Sequence, residues 1–96
     1  MKQVNFKELS VEVGIDDFQQ IDMRKEIGNS IHRQAVTVPM SDLARKIFHS
    51  EGPIEIDDED YKAMMSVLSK SFAIAISDSV KRDTVIIKET NKQEEG

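Results

Sequence analysis

Residues 57–80 read DDEDYKAMMSVLSKSFAIAISDSV, the most apolar stretch of the chain, and the rest must pack around whatever that stretch becomes. Tyr61, Met64, Met65 and Leu68 fall at i, i+3, i+4 and i+7, which is one apolar face of a 3.6-residue period. Asp57 or Asp58 can accept the free N–H groups at the start, and the neighbouring acids oppose the positive end of the helix dipole. The periodicity resets at Ser69-Lys70-Ser71. Ser71 can cap a second helix, along which Phe72, Ala73, Ile76 and Val80 resume helical spacing. Ile74 and Ala75 widen that face, which predicts a helix buried on more than one side. Two other readings fit the same residues: one long kinked helix, or a buried strand over residues 72–76, because a short apolar run does not fix its own period. Two helices is the preferred reading.

The partners for those stripes lie upstream. Val4, Phe6, Leu9, Val11, Val13 and Ile15 alternate in two runs, with a change of phase near Lys7-Glu8. Asp16-Asp17 makes a turn, and residues 18–21 return as a second strand. Residues 3–21 therefore read as a β-hairpin, with a bulge at the phase change or at Gly14. A lone hairpin is marginal in water, so its apolar face needs cover. Asp22 is a good N-cap for a helix carrying Met23, Ile27, Ile31 and Ala35 on one stripe. Gly28 inside it costs up to about 1 kcal/mol relative to alanine, and close packing against a neighbour is the simplest reason for it. Val36-Thr37-Val38 before Pro39 should be extended. Ser41 then caps a short helix with Leu43, Ala44, Ile47 and Phe48 on one face. His49 near its end suits the negative pole of the dipole, and Gly52-Pro53 stops it. Ile54-Glu55-Ile56 is long enough to add a third short strand to the hairpin. Val85-Ile86-Ile87 either finishes the last helix or forms a short terminal strand. Residues 91–96, NKQEEG, carry no apolar side chain and read as a frayed tail beyond a single domain over residues 1–90.

Composition bounds the function. Ninety-six residues suit one domain with a modest core. With one Tyr, four Phe and no Trp, that core must be aliphatic and methionine-rich. The chain has no cysteine, which removes disulfides, thiol nucleophiles and thiolate metal sites. No run approaches the ~20 apolar residues of a membrane span, and MKQVNFKELS lacks the apolar core of a signal peptide. The expectation is a cytoplasmic protein. Net charge is -5, and residues 41–60 hold seven acidic against two basic groups. That region would repel a nucleic-acid backbone.

No constellation carries a defensible chemistry. Asp57-Asp58-Glu59-Asp60 lacks the alternating ligands and glycine of a calcium loop and reads as helix-start stabilisation, with weak divalent-cation binding as the alternative. His32 and His49 are the only imidazoles, and neither has a partner in an HExxH pattern. Ser30 and His32 do not face each other on a helix. Arg24-Lys25, Arg33 and Arg45-Lys46 could form a small basic patch. Residues 41–68 suggest a helix-turn-helix, against which stand a long intervening segment and an acidic second helix. Catalytic, cofactor and metal residues are all expected to be absent. Met64, Met65, Phe72, Ile76 and Val80 are the candidate interaction surface, because methionine adapts to irregular partners, although core packing is the simpler use of the methionines.

The order VNFKELSVEV, EIGNSIH, DLARKIF and an acidic helix start, across residues 4–80, resembles small uncharacterised proteins of bacterial prophages and mobile elements. The resemblance implies a short accessory gene product, a phage structural or assembly component, and assigns no site residues. The resulting expectation is an α+β fold in which an N-terminal hairpin and a possible third strand pack on about four short helices. Hairpin apolar positions would meet Met23, Ile27, Ile31, Leu43, Ile47 and Phe48. The expected function is a non-enzymatic, self-associating interaction or assembly protein that binds a protein partner or its own copies, with a small transcriptional regulator of a mobile element as the alternative.

Overall fold

The alternation in the first twenty-one residues resolves into two separate sheets rather than one hairpin. The computed structural model describes residues 1–87, so the expected tail at 91–96 lies outside them. In chain order the elements are β1 Lys2–Val4, β2 Leu9–Gly14, β3 Asp17–Ile21, α1 Arg24–Gln34, α2 Val38–Phe48, β4 Ile54–Ile56, α3 Asp58–Ser71, α4 Ile74–Asp83 and β5 Val85–Ile86. The fold is α+β: three strands come first, then four helices, with β4 between the second and third and β5 after the last.

The phase change near Lys7 is a corner. The Asn5 side chain accepts from Lys7 N at 3.1 Å, and Glu8 N donates to Asn5 O at 3.3 Å. This local bond competes with strand pairing and turns the chain. It drives Phe6 fully into the core, where its carbonyl accepts from Met23 N at 2.9 Å. β1 thus leaves the hairpin and forms the centre of an antiparallel sheet ordered β4-β1-β5, with Lys2 opposite both Ile56 and Ile86. The third strand therefore joins β1, not the hairpin. The hairpin proper is β2-β3, with its register shift between Glu12 and Gly14 and Asp16 at φ 59 in the turn.

Val4, Phe6, Leu9 and Val11 from the strand region join Met23, Ile27 and Ile31 of the α1 segment. Leu43 and Ile47 of α2 and Met64, Leu68 and Val80 of the last two helices complete one core. Phe48 is only half-buried. Gly28 is where α1 meets α2: a Cβ there would lie 3.0 Å from Ala44 O and 3.1 Å from Phe48 Cβ.

Several helix ends differ from expectation. α1 begins at Arg24 with Met23 at the cap position, while Asp22 Oδ1 still accepts from Arg24 N at 3.1 Å. α2 begins at Val38, not after Ser41. Thr37 is its cap, and Pro39 sits in the first turn, where the missing N–H costs nothing. Asp57 caps α3, accepting from Asp60 N at 2.9 Å. Ser71 ends α3 instead of capping α4. Phe72 and Ala73 link the helices in extended backbone, so residues 72–76 are not a strand. Ile74 is 74% exposed, which corrects the expectation of a helix buried on several sides. α4 instead buries Ser77, Ser79 and Val80. Ser79 Oγ donates to Ile76 O at 2.8 Å and Ser77 Oγ to Ile74 O at 3.3 Å, so each buried hydroxyl is satisfied by its own helix. Among the described residues no helix is long and apolar enough to cross a membrane.

Candidate functional site

The residues picked out as an interaction surface lie mostly within the protein's own core. Met64 and Val80 are fully buried, and Met65, Phe72 and Ile76 are half-buried against the core. A partner reaches Met64 or Val80 only by opening the fold. Met23 and Met40 are core residues too. The acid run at 57–60 is accounted for in part by the helix start: Asp57 caps it, and Asp58 pairs with Lys2 Nζ at 3.0 Å. Lys2, helped by the terminal ammonium, holds the Asp58 carboxyl below its usual range. Among the described residues no three metal-ligating side chains gather.

The basic patch divides. Arg24 forks onto Asp22, with Nε at 2.9 Å and Nη2 at 2.8 Å, and its Nη1 donates to Ser50 O at 2.6 Å. Lys46 Nζ donates to Glu55 O at 2.7 Å. Lys25, Arg33 and Arg45 remain exposed. The segment weighed as a helix-turn-helix is not one, because β4 lies between α2 and α3 and is paired into the sheet of β1.

Among the described residues, two features offer specific contacts to an outside molecule. The first is the β2-β3 hairpin. Val13 and Phe18 are each 48% exposed, and Ile15 at the tip is 94% exposed. One edge of the hairpin packs against α4 and is tied at Ser10: Ser10 N donates to Asp83 Oδ2 at 2.8 Å, and Arg82 Nη2 donates to Ser10 O at 2.7 Å. Ser10 is therefore a residue whose backbone points away from β3. Its opposite number Gln20, and Phe18 opposite Glu12, must likewise point their N–H and C=O groups away from β2. No other described strand pairs with that edge. The Arg82 guanidinium lies 4.8 Å from the Phe18 ring centre and braces it.

The second feature is a cleft of about 240 Å³ where α1 crosses α2. Gly28 and Ala44 form its floor, and the half-buried Phe48 ring flanks it. Asn29, His32, Arg45 and His49 supply its polar lining. Both imidazoles of the chain thus line one site, although in the sequence they stand seventeen residues apart with no motif joining them. The signal was available: Gly28 marks a helix crossing, and Asn29 and His32 are its neighbours at +1 and +4. His49 packs edge-on to Phe48 with ring centres 5.0 Å apart.

No protein-family model matches the chain, and the comparisons find no similar curated protein and no similar solved structure.

Proposed function

We propose that this protein is a non-enzymatic interaction or assembly component, the setting its resemblance to prophage and mobile-element products implies, and that it self-associates through the hairpin. The observation that carries this is the outer edge of β3, which pairs with no other described strand. Phe18 and Gln20 turn their backbone groups to that edge, where no described residue pairs with them, and the strand has one charge, Asp17, at its start. Such an edge is a template for another strand.

A second copy fits it without conflict. In the antiparallel register that uses both residues, Phe18 faces the partner's Gln20 and Gln19 faces the partner's Gln19 across a two-fold axis. Asp17 then meets Ile21 of the other copy, so no like charges oppose. Pairing five residues buries less than the ~1,200 Å² of a stable interface, so the dimer belongs to the weak, concentration-dependent class.

Light scattering across a concentration series tests the association, and a strict monomer at every concentration would sink the reading. The variants Gln19→Lys and Gln19→Glu should each weaken the dimer, because the two copies then place like charges directly opposite. Mixing the two variants should restore it. If neither variant weakens association, β3 is not the interface. A regulator of a mobile element is the competing reading. It draws on the three-residue link between α1 and α2 and on exposed Lys25, Arg33 and Arg45, and it expects a salt-dependent shift of promoter DNA.

A further inference from the structure

We infer that the α1-α2 cleft binds a small phosphate-type oxyanion. Asn29 and His32 face it from α1, and Arg45 and the capping residue His49 face it from α2. None of these four side chains makes a hydrogen bond or ion pair with another described residue, so no described partner competes with a ligand for their donors. No carboxylate lines the cleft. That separates it from two other grooves among the described residues. One includes Glu26, and the other includes Asp42, Glu55, Asp57 and Asp60.

The donor set decides the ligand class. An arginine fork, a side-chain amide and two imidazoles able to donate match the acceptor oxygens of a tetrahedral anion. A metal ion would have only two imidazoles to hold it and would face the Arg45 charge. Volume sets the size. At about 240 Å³ the cleft lies below the ~300–1,000 Å³ of sites that enclose drug-sized ligands. It can seat a phosphate group with a short organic stub and does not enclose a nucleotide. Gly28 is part of the design, because a side chain on that floor would collide with Ala44 O and Phe48.

The site is independent of the β3 edge, so the two readings fail separately. The test is a titration of the full chain with inorganic phosphate, followed by NMR of the histidine rings and the Asn29 amide, with chloride at matched ionic strength as the control. Saturable shifts of His32, His49 and Asn29 are expected, confined to the cleft. Arg45→Gln should weaken binding about tenfold or more, the loss of a charge-assisted hydrogen bond. His32→Gln should weaken it less, and Lys25→Gln, outside the cleft, should leave it unchanged. Arg45 and His32 are exposed, so both variants should keep the wild-type melting temperature. A linear response, or equal shifts around Lys25 and Arg33, would overturn the assignment. So would tight binding of duplex DNA that Arg45→Gln abolishes, because the cleft would then be a backbone contact.

Discussion

At the scale of single residues, the best-tied polar group is Asp22. Its carboxyl is pulled down to about 2, first by the side-chain bond from Arg24 and then by the Arg24 backbone N–H. A depressed carboxylate contributes stability above its unfolded pKa and loses it as pH falls through the folded value. The stabilisation from Asp22 should therefore be complete above about pH 4 and fade toward about 2. Thermal melts of the wild type and of Asp22→Asn, run from neutral pH downward, should show a gap that closes over that window. Asp58 is also depressed and titrates in both proteins, so the difference between the curves is the informative quantity. Both Asp22 and Arg24 reach solvent, so added salt should narrow the gap further. A gap that is constant with pH would show that Asp22 acts through capping geometry alone.

At the scale of elements, the α1-α2 crossing governs both the packing and the cleft. Alanine in place of Gly28 would gain about 1 kcal/mol in helix propensity. Its Cβ would press on a helix carbonyl at 3.0 Å and on the Cβ of Phe48 at 3.1 Å, and neither is the free end of a flexible chain. Overpacking of this kind costs about 1–3 kcal/mol. Gly28→Ala should therefore lower stability by about 1 kcal/mol on balance, readable by urea unfolding. A stabilised variant would mean that the helices part freely. The stripe Met23, Ile27 and Ile31 and the crossing at Gly28 were legible in the sequence, because period and residue size are local properties. The start of α2 was not. Proline biases its predecessor toward extended backbone, yet Pro39 in a first turn is tolerated, and the Thr37 hydroxyl supplied the cap instead of Ser41. The burial of Ser77 and Ser79 was hidden for a similar reason: a serine bonded to its own helix passes for a solvent-facing residue in a pattern of hydrophobicity.

At the scale of the whole molecule, what the sequence withheld was which strand pairs with which. Three-residue segments such as Lys2–Val4 and Ile54–Ile56 carry alternation but no register, and their partners lie fifty or more residues away. β1 holds that long-range sheet together, because β4 and β5 both pair with it and not with each other. Ile87 N also donates to Met1 O at 2.9 Å, and Lys2 bonds Asp58 at the start of α3. Removing residues 1–4 should therefore do more than trim an end. Burial of the Val4 side chain alone is worth about 2 kcal/mol, and a domain of this size loses roughly 4–8 °C of melting temperature per kcal/mol. The shortened chain should melt at least about 10 °C lower, with exchange protection lost in β4 and β5 together. Ile15→Ser at the hairpin tip, where the side chain is 94% exposed, should shift melting little in dilute solution. If the shortened chain melted like the parent, β1 would be an ornament on a core closed by the helices, and the hairpin with its four helices would suffice as the folding unit.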